Sequence, residues 1–243
     1  LEAAREHPRV AIAPKAIRFD PADFAHVTST PRFLEPGLLH LTNSGNVESM
    51  FDALPFFDVV RKTFGALTQN QVDGLKTLYS ATAGVPLRHR AYIIATAWHE
   101  TGPKSDPLHM TPRTEKGSKD YFDKYNAGTA IGARLGNTLP GDGYKFRGRG
   151  YVQITGRRNY FKAGEALGVD LLASPDAALE PGNAARIIVN GMATGMFTGK
   201  KLADYTSYRD MRRIVNGLDR ADMIAGYAET FEAAIAATGG GLT

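Results

Sequence analysis

A chain of 243 residues, 43% of them hydrophobic, can bury one sizeable core, with length to spare for an extension or a small second lobe. Lysine and arginine exceed aspartate and glutamate by only four, 29 against 25, a mild surplus of base that gives no support to a dedicated nucleic-acid binder. The absence of cysteine removes disulfides, thiolate metal sites and a cysteine nucleophile.

The opening Leu1-Glu2-Ala3-Ala4-Arg5-Glu6-His7-Pro8 carries charges where a secretory signal needs an apolar run, and no later stretch is apolar over a bilayer's width. The expectation is a soluble, monomeric protein with no signal peptide and no transmembrane segment. Pro8, Pro14, Pro21, Pro31 and Pro36 interrupt the first part without a helical period. Residues 1–60 therefore read as an N-terminal arm or linker. Its apolar residues, among them Ile12, Phe19, Phe24 and Phe33, are too many for a bare tail and imply that it packs on something. Residues 61–243 read as the main domain.

Val47 to Phe64 reads as helical with a break at Pro55. Thr68-Gln69-Asn70-Gln71 fits a capping box opening a helix, with Val72, Leu75 and Tyr79 on one face and Gly84 as its stop. Leu87 to Thr101 carries Ala91, Ile94, Ala95 and Trp98 at helical spacing, and Gly102-Pro103 ends it. Glu100 thus falls in the last turn of a largely apolar helix. There the helix dipole and partial desolvation both disfavour the ionised carboxyl, as a general acid requires.

Short helices are expected near Lys119 to Tyr125 and Thr129 to Leu135. Tyr151 to Thr155 alternates and is β-prone, so Gln153 and Thr155 are expected on one side of a short strand. The remainder reads as helices over Arg158 to Leu167, Pro181 to Phe197, Ser207 to Val215 and Arg220 to Ala237, the last capped by Asp219, with a turn at Ser174-Pro175. The fold class is mostly α with a minor β element.

Several chemistries fail on spacing. His99-Glu100 meets Pro103 where a helical zinc-protease pattern needs a second histidine. Gly195-Met196-Phe197-Thr198-Gly199-Lys200 is one residue short of a phosphate loop, and no Gly-x-Ser-x-Gly elbow occurs. No metal and no cofactor are expected. Glu100 and Glu115 can flank a bond as acid and base, or Glu115, between Thr114 and Lys116, can simply be solvated. Trp98 reads as core, and His99 either orients Glu100 or is itself a core residue.

The ordered set His99-Glu100-Thr101-Gly102, Met110-x-Pro112-x-x-Glu115, Gly143-x-x-Phe146-x-Gly148-Arg149-Gly150-x-x-Gln153-x-Thr155-Gly156-x-x-Asn159-Tyr160 and Ile214-Val215-Asn216-Gly217 resembles glycoside hydrolase family 19. It is closest in character to the cysteine-free, phage endolysin-like relatives of the chitinases. The resemblance covers about Thr68 to Ala237, and it implies a lysozyme-like α+β fold with a groove. By resemblance, Glu100 is the general acid, Glu115 the general base, and Thr155 the hydroxyl that helps hold the attacking water. His99, Arg149, Tyr151, Gln153, Asn159, Tyr160 and Asn216 are the implied substrate-binding residues. Inversion would place the two carboxyl groups about 6.5–9.5 Å apart. The connection between Gly102 and Met110 is longer than in close relatives.

The function this implies is a muramidase-type peptidoglycan hydrolase cutting β-1,4 bonds of the wall glycan, released to the periplasm and wall if it serves as an endolysin. A chitinase is the alternative substrate reading. A non-catalytic glycan-binding module, phage or wall-associated, is the alternative of a different class. Peptidoglycan strands or chitin oligomers are the expected partners, and nucleic acid is not.

Overall fold

In a computed structural model the described residues are 53–239, and most of the proline-rich arm lies outside them. Helix α3, Leu87–Glu100, is the hub: every residue from Arg90 to Trp98 is buried. A helix apolar on all sides must be enclosed on all sides. The long α9, Ala221–Ala237, packs along it, and α1, Ala53–Phe64, packs on α9. Phe56 and Val60 of α1 are fully buried in the common core, so the body reaches back to Ala53, before the boundary expected at 60. Each such enclosed side chain contributes about 1.5–3 kcal/mol. Trp98 sits in this core between Phe64, Phe231 and His109, as its helical spacing implied.

Helix α2, Gln69–Ala81, opens with the expected capping box, in which the Thr68 hydroxyl and the Gln71 side chain each accept from the other's backbone amide. After the connection that follows α3 come a 3-10 turn at Asp120–Tyr125, α4 at Ala130–Leu135 and α5 at Asp142–Lys145. Helix α6, Arg157–Leu167, ends on Gly168, and α7, Pro181–Thr194, ends on Gly195 rather than continuing to Phe197. Both glycines take left-handed φ values that any side chain would strain. Ser207 to Val215 is a short α8, Tyr208–Met211, followed by a 3-10 turn. Helix α9 is not capped by Asp219: Arg220 is the cap, at φ 55°, without a side-chain bond.

The β element is smaller than expected and lies elsewhere. Strand β1, Arg113–Thr114, pairs antiparallel with β2, Arg149–Gly150, Arg113 opposite Gly150 and Thr114 opposite Arg149. Tyr151 to Thr155 is not a strand. Positive φ at Gly150 and Gln153 curls these residues into a turn, which Arg149 and Ile154 close with reciprocal backbone bonds. β-prone residues form a strand only where a partner edge runs beside them, and here the pairing is confined to the single bridge between Arg149 and Ile154.

The long connection after Glu100 is pinned rather than loose. The Gln71 side chain donates to the Lys104 carbonyl at 3.0 Å and meets His109 Nδ1 at 3.1 Å. His109 Nε2 faces the Trp98 carbonyl at 2.7 Å. A carbonyl can only accept, so Nε2 carries the proton and Nδ1 accepts from Gln71, which requires the neutral imidazole. Asn70 donates to the Pro107 carbonyl, and Gly74 lets Met110 lie so close that an added Cβ would meet its carbonyl oxygen.

Two stability measurements follow. Gln71→Ala strands the Thr68 amide, the Lys104 carbonyl and His109 together, and should lower unfolding free energy in urea by about 3 kcal/mol. Burial pushes the imidazoles of His109 and His99 below their usual 6.5. A histidine whose folded pKa is depressed stabilises fully above its unfolded value and loses that contribution as pH falls. The urea midpoint should therefore hold above pH 7 and decline below about pH 6.5.

Candidate active site

Glu100 is delivered by the end of α3 to a half-buried position, where its carboxylate accepts from Arg212 Nη1 at 2.5 Å. The Arg212 side chain is only 3% exposed, and its Nε donates to the Asp219 carbonyl. The Asn216 amide donates to the Arg212 carbonyl, so the Ile214-to-Gly217 motif is hung on the residue that pairs with Glu100. Sequence reasoning missed Arg212. The signal available was an arginine one turn before that motif, in a segment whose apolar pattern buries it, since a buried guanidinium needs an acidic partner. The expectation of an isolated carboxyl at a helix end counted the dipole and desolvation and omitted this cation. His99 lies beside Glu100, half-buried.

Glu115 follows β1 and prolongs its ladder, its amide donating to the Gly148 carbonyl at 2.7 Å. Its side chain turns back to the same residue: Oε2 accepts from the Gly148 amide at 3.1 Å, and Oε1 from the Tyr125 hydroxyl at 3.5 Å. A Cβ on Gly148 would lie 2.8 Å from Gln153 Oε1 and 3.1 Å from Glu115 Oε2, so glycine is what lets the carboxylate reach the amide. Glu115 is therefore held, not merely solvated.

The segments bearing the two glutamates meet at their near ends. A Cβ on Gly102 would lie 3.4 Å from Arg113 Nη1, and the same nitrogen donates to Asp106 at 2.8 Å. The Met110 amide donates to the Thr101 hydroxyl. Arg113 Nε and Nη2 are buried without a partner among the described residues.

The other expected site residues divide into two groups. Gln153 spends its amide hydrogens on the carbonyls of Arg113 and Gly150, tying β1 to the turn. Thr155, half-buried, donates to the Gln153 carbonyl, and Asn159 to the Thr155 carbonyl. Gln153, Thr155 and Asn159 thus form one chain of bonds behind Glu115, and Asn216 stands half-buried on the Arg212 side.

Arg149, Tyr151 and Tyr160 do not line an open wall: they are buried. Arg149 donates to Asp176, to two carbonyls and to the Tyr160 hydroxyl, which itself donates to the Arg147 carbonyl. Burial alone pushes the Tyr151 phenol up to about 12. These residues form the framework beneath the turn. The family resemblance, not their spacing, implied that they bind substrate. A hollow of about 470 Å³ bordered by Phe161, Glu165 and Asp170 is lined by neither Glu100 nor Glu115.

Comparison with known proteins agrees with the resemblance in the motifs. No family model matches the chain. Over 88 residues the chain is 36% identical to a glycosyl hydrolase family 19 domain-containing protein of Haemophilus influenzae, a match covering 35% of this chain and 40% of that protein. The chain thus spans well under half the length of this curated relative. Chitinase C from Streptomyces griseus superposes with a TM-score of 0.51 at 19% identity, covering 81% of this chain and 79% of that one. A bacterial family 19 chitinase gives 0.48 at 19% identity, over 72% and 93%. Over the 88 matched residues the sequence is family 19-like, and the mostly helical fold with a minor sheet is shared with the Streptomyces griseus chitinase.

Removing Arg212 leaves Glu100 beside an emptied cationic site. Arg212→Ala should lower stability by about 2 kcal/mol, less than for a fully enclosed pair because Glu100 is partly solvated. Urea titration of the variant beside Glu100→Gln checks this.

Proposed function

We propose that this protein is a glycoside hydrolase that cuts β-1,4 bonds of an N-acetylated aminosugar polymer by inversion, with bacterial peptidoglycan as its substrate. The observation that carries the proposal is that two glutamates, at the two ends of one pinned connection, are each fixed by dedicated donors. Glu100 gives its proton to the leaving oxygen. The charge that appears on its carboxylate as the proton departs is met by Arg212, an interaction stronger in the transition state than before it. Glu115, held by the Gly148 amide, takes the proton of the attacking water. Thr155 Oγ1, already donating to Gln153, keeps lone pairs to accept from that water. The scheme calls on no metal and no cofactor.

Peptidoglycan is favoured by the cysteine-free, endolysin-like character of the motifs, and mild positive charge aids encounter with an anionic wall at low salt. Chitin is the second reading, suggested by the name of the Streptomyces griseus neighbour. The deciding experiment measures reducing ends released from purified peptidoglycan and from chitin oligomers. Glu100→Gln and Glu115→Gln should each cut the rate on the true substrate by about 10²–10⁴ while remaining folded. Cleavage of chitin alone would transfer the proposal to that polymer. Binding without turnover by the wild type would make the chain a glycan-binding module.

A further inference from the structure

We infer that Tyr125 is a positioning residue for Glu115, holding the outer oxygen of its carboxylate while the Gly148 amide holds the other. This rests on the reading of Glu115 as the base. Each oxygen has a donor of its own, Tyr125 on Oε1 and Gly148 on Oε2, so rotation of the carboxyl group breaks one bond or the other. Tyr125 is 8% exposed, and its ring packs against Phe122, which limits the positions the hydroxyl can take.

Its support is built into the same stretch of chain. Gly132 and Gly143 allow backbone to close over the 3-10 turn where a Cβ would strike the Asn126 and Phe122 carbonyls, and Asn137 donates to the Tyr125 carbonyl at 2.7 Å. The 3.5 Å separation is at the long end for a hydroxyl donor, the state from which catalytic bonds tighten on substrate binding. The phenol keeps its proton: burial first, and then the charge of Glu115, push it well above the usual tyrosine range. It therefore has a proton to donate to the carboxylate.

The charged and titratable groups around Glu115 are few. The 3-10 turn carries Tyr125, Tyr121, Asp120, Asp123 and Lys124, whose ammonium stands over both tyrosine rings. From the β2 side, Arg147 lies over Tyr144 and Arg149 is spent on Asp176. Arg113 and Lys116 flank Glu115 along its own segment. Tyr125 alone of these side chains donates to the carboxylate among the bonds described. A hydrogen bond to the ionised form favours that form, so loss of the phenol must move the Glu115 titration to higher pH.

The test compares Tyr125→Phe with the full-length wild type by two readouts. The Glu115 carboxyl is titrated by carbon NMR, with Glu115→Gln assigning the signal, and kcat and KM are measured on whichever polymer the wild type cuts. The expected result is a titration moved to higher pH and a kcat lower by about tenfold with KM unchanged. An unmoved titration overturns the inference. If the wild type cuts neither polymer, the hydrolase reading fails, while the titration still decides whether Tyr125 holds Glu115. Should Tyr125→Phe not fold, 3-fluorotyrosine at the same position, a stronger donor, should move the titration to lower pH, and no movement overturns the inference equally.

Discussion

A single buried amide, the side chain of Gln71, closes three parts of the structure at once. Its oxygen caps α2, and its nitrogen holds the Lys104 carbonyl and the ring of His109. His109 in turn reaches the Trp98 carbonyl near the end of α3. Every polar atom of this amide has a partner in a place without solvent, where leaving one unmatched costs about 1–3 kcal/mol. Because the same group serves the cap and the connection, the start of α2 and the path from Glu100 to Glu115 are set together.

That coupling fixes the course of the connection between Gly102 and Met110. Extra residues between two catalytic carboxylates ordinarily add freedom to their separation, and freedom of about 1 Å is costly in a site that depends on orientation. Here the connection is folded onto α2 through Asn70, Gln71 and Gly74 and tied across itself by Asp106 and Arg113. The two glutamates are then held by contrasting means. Glu100 leaves a helix buried on all sides and meets a cation, whereas Glu115 leaves a two-residue strand and meets neutral donors. A group that must shed a proton gains from a cation waiting for its charge. On the proposed reading, the group that takes one up gains from neutral donors that orient it at a smaller cost in basicity than a cation would exact.

The turn after β2 shows a division of labour within one motif. Gly148 admits the Glu115 carboxylate, and Gly150 and Gln153 bend the chain. Arg149 and Tyr160 anchor the bend from below through Asp176 and the Arg147 carbonyl. Half of a motif that looks like a list of ligand contacts is therefore the scaffold of the other half. A buried arginine with four acceptors resists removal as strongly as a residue that touches substrate.

The sequence by itself determined what depends on near neighbours along the chain. The capping box at Thr68, the glycine stop at Gly168, and the helical apolar stripes of α2 and α3 are relations within a few residues, readable from spacing. The motif order also placed Glu100 and Glu115 in the candidate site. Only the tertiary structure decided the pairing of Glu100 with Arg212, the curl of Tyr151 to Thr155 into a turn, the burial of Arg149, Tyr151 and Tyr160, and the inclusion of α1 in the body. The physical reason is the same in each case. A strand needs a partner edge, a buried charge needs a counter-charge, and a helix needs a surface to cover, and in this chain those partners lie far away in sequence.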